Sequence, residues 1–169
     1  MMAHIVDHSI MVGNVTLCLC RHVKQTSPSL NVELATSAAL LHDITKTRSF
    51  ETGERHSDSG GELLSTLGYP EVGDIIRQHV ILDCCEEDAP ITEQEIVNYA
   101  DKRVLHNRVV TLTRRLEYIQ DTYGSQHHLK DRIARMWYMT QALENKLFRQ
   151  LPFSPAQLSD RVLMDIRFF

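Results

Sequence analysis

The residues of this chain best suited to chemistry are imidazoles and carboxylates placed where a helical pattern calls for an apolar side chain. Nine histidines occur in 169 residues of formal charge −4. Six positions stand apart: His8, the adjacent pair His42 and Asp43, His56, His79 and Asp101. Each lies within or at the end of a segment that otherwise repeats apolar residues at helical spacing. Burying a lone charge is costly unless it is paired or bound to a cation. A buried carboxylate beside a buried imidazole is stabilised by a shared divalent ion, which also keeps the imidazole neutral. Neighbours point about 100° apart around a helix, so His42 and Asp43 converge on one ion only if it sits between their two directions. The break in the apolar pattern at Ile44 suits that placement. Any one of the six alone reads as an ordinary core or surface polar group, as Asp101 paired with Lys102 would be. Together they favour a metal.

The elements that must position these residues are helical nearly throughout, and the expected fold is an all-α, single-domain helical bundle over residues 1–169. The spacing predicts a helix from near Ala3 to about Lys24 and a second from Val32 to about Asp43. The second has Asn31 as its N-cap and so little polar surface that it should be central. Ile44 to Arg55 is polar and contains Gly53, which reads as a loop. A helix from His56 through Leu67 follows, in which Gly60 and Gly61 would admit another backbone closely. Pro70 opens a helix through Val80. Thr92 to Glu95 is a capping-box pattern that starts a helix running toward His106. Helices over Leu112–Tyr123 and Gln126–Gln150 and a short final helix or tail complete the chain, with no convincing strand. The site-bearing core is about 4–106 and the C-terminal helices about 111–169.

Leu40-Leu41-His42-Asp43-Ile44-Thr45-Lys46 resembles the signature of the HD-domain metal-dependent phosphohydrolases. The order His8, His42-Asp43, His56, His79, Asp101 matches that superfamily's extended ligand pattern, and the resemblance covers about residues 4–106. Val6-Asp7-His8-Ser9 looks like its first motif and Tyr99-Ala100-Asp101-Lys102 like its last. The resemblance implies that His8, His42, Asp43 and Asp101 hold a primary metal, and that His56 and His79 are the added ligands of the two-metal subset, with Asp43 bridging. Mixed His and carboxylate ligation suits Fe, Mn, Co, Ni or Zn better than Mg, with two ions favoured over one. Such ions supply hydroxide near neutral pH and neutralise phosphoryl charge. Lys46 and Lys102 are the cations expected to hold the remaining phosphate charge, ahead of Arg55, Arg77 and Arg103.

The implied function is hydrolysis of a nucleotide or other small phosphate ester or anhydride by metal-activated water, with Asp43, Lys46 and Lys102 in the catalytic machinery. The spacing resembles small bacterial HD proteins, including the diadenosine-tetraphosphate hydrolase group. Thr45-Lys46 replaces the acidic pair of the guanosine-tetraphosphate hydrolases, which argues against that substrate. Gly68-Tyr69-Pro70 spells the name of the HD-GYP phosphodiesterases but reads as a helix-ending turn. The alternatives are a non-catalytic nucleotide- or signal-binding module with a structural metal, and a helical adaptor that forms a homodimer through its long late helix.

Composition sets outer bounds. Hydrophobic residues are 43% and charged residues 24%, as in an ordinary globular chain. The acidic balance argues against duplex nucleic acid or anionic membrane as a partner. No signal peptide or span of about 20 apolar residues is expected, and a reducing cytoplasm fits Cys18, Cys20, Cys84 and Cys85 as small core hydrophobes. Of the other histidines, His4 and His22 read as solvent-facing. His106 reads as pointing away from Asp101, and His127 and His128 as neutral surface groups.

Overall fold

A computed structural model of the protein describes residues 1–124 and 130–167. Its helices are α1 (Ala3–Val23), α2 (Val32–Leu41), α3 (Lys46–Thr52), α4 (His56–Thr66), α5 (Pro70–Gln78) and α6 (Glu93–Lys102). After them come a two-residue hairpin, β1 (Val104–Leu105) and β2 (Arg108–Val109), then α7 (Leu112–Tyr123), α8 (Lys130–Phe148) and α9 (Leu158–Arg161). The all-α expectation holds. The start of the Gln126–Gln150 helix, with His127 and His128, lies outside the described residues.

Local sequence explains where the helices begin. Asn31 accepts a hydrogen bond from the Leu34 amide at 3.0 Å and starts α2. Thr92 and Glu95 form the reciprocal capping box of α6. Pro70 opens α5, where its missing N–H costs nothing. The core is built from Val12, Val15, Leu19 and Val23 of α1, Ala35, Ala38 and Ala39 of α2, Ile75 and Ile76 of α5, and Ile96, Val97 and Ala100 of α6. The small residues of α2 let α1, α5 and α6 all pack against it. Among the described residues, α1 alone is long and apolar enough to cross a membrane, with a mean hydropathy of 1.3, but 61% of that stretch is buried inside the fold.

Helices α4 and α5 meet backbone to backbone. A Cβ on Gly61 would lie 2.7 Å from the Gly73 carbonyl oxygen, and one on Gly73 would lie 2.5 Å from that of Gly61. Only glycine permits this approach. It brings the start of α4, with His56, to the end of α5, with His79. Buried polar ties fasten α8 to α6. The Lys146 ammonium sits 2.7 and 2.9 Å from the two Glu95 carboxylate oxygens. Glu144 accepts from the Tyr99 hydroxyl, which in turn accepts from Arg103.

Three expectations are corrected. Residues 46–52 form a helix rather than a loop. That helix buries none of its residues, so it carries no apolar period, and Gly53 at φ 72° terminates it. Helix α6 ends at Lys102 instead of running on toward His106, and the chain reverses in the hairpin with His106 at φ 55°. The thiols divide: Cys18 and Cys20 are buried, Cys85 is half-buried and Cys84 is exposed, so Cys84 is no core residue.

Candidate metal centre

The six singled-out residues come from five helices or their ends and meet at one place. His8 faces inward from the second turn of α1. His42 and Asp43 follow α2, His56 opens α4, His79 caps α5, and Asp101 lies in the last turn of α6. His8 Nε2 is 3.0 Å from Asp101 Oδ1, and His42 Nε2 is 3.7 Å from the same oxygen. His42 Nε2 is also 3.4 Å from Asp43 Oδ2. On the other side of Asp43, Oδ1 lies 3.2 Å from His56 Nε2 and 3.7 Å from His79 Nε2. Two donor groups result, His8–His42–Asp43 and Asp43–His56–His79, each with its ligand atoms within 4.8 Å of one another. They share Asp43.

The hydrogen bonds behind the rings decide which nitrogen faces the centre. His42 Nδ1 donates to the Ala39 carbonyl at 2.7 Å, His79 Nδ1 to that of Ile76 at 2.6 Å, and His8 Nδ1 to that of His106 at 2.8 Å. A carbonyl accepts only from N–H, so in the neutral rings the proton sits on Nδ1 and the Nε2 lone pair is turned inward. His42 Nε2 and Asp43 Oδ1 are buried without a hydrogen-bond partner among the described residues, close as their neighbours are. His56 Nε2 and His79 Nε2 stand 3.1 Å apart. Converging lone pairs and orphaned acceptors are unfavourable among themselves and favourable around a cation. The residues present therefore fit divalent ions of the imidazole- and carboxylate-binding kind.

The electrostatics agree. Burial works to protonate Asp43, yet His42, His56 and Lys46 hold its carboxyl well below the usual range. Asp101 is likewise held well below it, against burial, by Lys102, His8, Arg115 and His42. Burial and the neighbouring His42 push His79 well below an ordinary imidazole. For His42 burial is outweighed by Asp43 and Asp101, and its value rises. Both carboxylates are thus charged at neutral pH, and a proton and a metal ion compete for His42 Nε2.

The two expected lysines take different positions. Lys46 Nζ lies 2.8 Å from Asp43 Oδ2 and keeps an edge toward a cavity, its side chain 27% exposed. Lys102 also lines the cavity but is almost fully buried, 2.8 Å from Asp101 Oδ2 and 2.8 Å from the His79 carbonyl. Burial lowers its proton affinity while Asp101 raises it. Arg77 pairs with Asp74 and Asp83 on the surface, and Arg103 is consumed by Tyr99, Glu144 and two backbone carbonyls. Arg55 and the exposed His4 border the cavity. His22 is half-buried against Phe153 rather than solvent-facing.

Sequence reasoning missed several contributors. Asn98 donates to the carbonyls of Gln78 and His79 at 2.9 and 3.0 Å and secures the end of α5. Its signal was available, a polar residue one turn before Asp101 on a buried face. Thr45 donates to the His56 carbonyl at 2.8 Å and sets the entry to α4. His106, expected to point away, serves through its main-chain carbonyl, which no side-chain pattern announces. Arg115 of α7 lies 3.8 Å from Asp101 Oδ1 and had no local signal. A cavity of about 530 Å³ opens over the cluster, with Lys46, Arg55, Arg115 and Arg132 among its lining residues.

The sequence profile of the HD domain family matches residues 5–104. An uncharacterized protein of Methanocaldococcus jannaschii is 27% identical over 137 residues, covering 73% of this chain and 80% of its own length. No solved structure matches the chain.

Proposed function

We propose that this chain, which belongs to the HD-domain superfamily of metal-dependent phosphohydrolases, hydrolyses a small phosphate ester or anhydride, a nucleotide for preference, with two divalent ions. The observation that carries the reading is the pair of donor groups hinged on Asp43 at the floor of a cationic cavity. His8, His42, Asp43 and Asp101 would hold one ion, and Asp43, His56 and His79 the other. Bound there, the ions would lower the pKa of water and neutralise phosphoryl charge.

The chain's own residues do the rest. The Ala39, Ile76 and His106 carbonyls fix three imidazoles as Nδ1–H tautomers, so their Nε2 atoms need no reorientation. Asp43 supplies one carboxylate oxygen to each half of the cluster. Lys46 balances that carboxylate and offers its remaining N–H bonds to a phosphate oxygen in the cavity. Lys102 and Asn98 keep Asp101 and the end of α5 in place.

Elemental analysis of protein purified without chelator, beside a panel of phosphomonoesters, diesters and dinucleotides, tests this. About two transition-metal ions per chain and phosphate release are expected. Asp43→Ala should lose both ions and the activity, whereas His56→Ala should keep the ion held through His8 and His42. Full activity in metal-free wild type would end the reading.

A further inference from the structure

The cavity has a second wall that the metal cluster does not explain. Arg115, Tyr118, Ile119 and Tyr123 of α7 and Ile133 and Met136 of α8 all line it, and all lie C-terminal to the family-matched residues. Apart from Arg115 and Arg132 this wall is apolar or aromatic, unlike the imidazole and carboxylate floor it faces. Pockets that select an organic ligand combine such a wall with a few placed polar groups. Arg115 is the placed group. Its guanidinium lies over the Tyr118 ring, 5.8 Å from the centroid. Its Nε is buried with no hydrogen-bond partner among the described residues. Asp101, its nearest acid at 3.8 Å, is beyond hydrogen-bond reach and already engaged by Lys102. A guanidinium placed over an aromatic ring, with one buried donor left unsatisfied beside the proposed phosphate site, suits a phosphate oxygen.

Building on the phosphohydrolase reading, we propose that α7 and α8 form the specificity element of the site. Arg115 grips the phosphate at the junction of floor and wall, and Tyr118 with Ile119, Ile133 and Met136 receives a flat, largely apolar ring system on the substrate's organic half. The preferred substrate class is then a phosphomonoester carrying such a ring close to its phosphate, ahead of inorganic polyphosphates or small polar phosphate esters.

Calorimetric titration of the metal-loaded protein reads this without turnover. The probes are inorganic phosphate, methylphosphonate and benzylphosphonate. Benzylphosphonate should bind roughly tenfold or more tighter than methylphosphonate, the scale of one aromatic stacking contact. Tyr118→Ala should cost benzylphosphonate roughly tenfold more than it costs methylphosphonate, erasing that advantage. Arg115→Gln should weaken all three probes at unchanged metal content, and Arg115→Lys should recover only part of the loss. Equal affinity for the two phosphonates, or an equal loss for both in Tyr118→Ala, overturns the specificity element while the phosphohydrolase reading stands. Failure of the metal-loaded wild type to bind any of the three would overturn that reading itself.

Discussion

Replacing Lys102 by methionine tests both the electrostatics of the site and the membership of Asp101 in it. Lys102 is 4% exposed and Asp101 6% exposed, so the pair sits where water screens little. At 2.8 Å and an effective dielectric of 20 their attraction is about 6 kcal/mol. Desolvating two ions offsets most of that, so the intact pair adds little net stability. Removing one partner is a different matter, because Asp101 Oδ2 is then left charged and unpaired in the interior. The cost expected for such a break is about 3–5 kcal/mol. The His79 carbonyl is not orphaned, since Asn98 still donates to it at 3.0 Å. For a chain of this size the loss corresponds to a fall in Tm of roughly 6–20 °C. An ion ligated by Asp101 would replace the missing positive charge. Thermal and urea unfolding of Lys102→Met should therefore show the full loss in chelator and a loss smaller by at least about 1 kcal/mol with saturating metal. An identical loss in both conditions would refute the assignment of Asp101 as a ligand. A loss below about 1 kcal/mol in chelator would refute the buried ion pair.

The remaining predictions concern packing and protons. Gly61→Ala places a methyl 2.7 Å from a backbone oxygen that cannot rotate away. It should cost about 1–3 kcal/mol in urea unfolding and, by parting His56 from His79, should weaken metal binding more than an alanine at the exposed Gly53 or Gly68 does. The metal-free protein should be most stable near pH 6.5. His79, depressed in the fold, refuses a proton that the unfolded chain accepts, so stability falls as pH drops below 6.5. His42, raised in the fold, contributes fully below 6.5, and that contribution is lost as pH climbs through its folded value. Each limb is limited to about 1.4 kcal/mol per pH unit, and below pH 3.8 the depressed Asp43 and Asp101 add a further loss. Urea midpoints from pH 3 to 9 in chelator read all three, and stability rising steadily through pH 8 would contradict the assigned signs.

The helices and their starts were legible because caps, prolines and apolar periods act within a few residues. Asn31, Thr92 and Pro70 announce α2, α6 and α5, and the spacing of Val12, Val15, Leu19 and Val23 announces the inner side of α1. Helix α3 was illegible for the same reason, since it buries nothing and so carries no period. His8, His42, Asp43, His56, His79 and Asp101 could be nominated because polar groups on apolar helix faces need an explanation that the sequence already demands. Their meeting point could not be read in this way. It depends on the Gly61–Gly73 crossing that joins α4 to α5 and on the small alanines of α2.

By itself, then, the sequence determined which side chains could serve a metal and which helices carry them, because ligand chemistry and helix periodicity are local properties. Tertiary structure alone decided that Lys102 is committed to Asp101 and the His79 carbonyl while Lys46 keeps a more exposed edge in the cavity, that the His106 carbonyl orients His8, and that Arg115 and Tyr118 wall the site. Those outcomes depend on contacts between residues far apart along the chain. Side-chain direction across such a gap is set by packing, which no window of sequence contains.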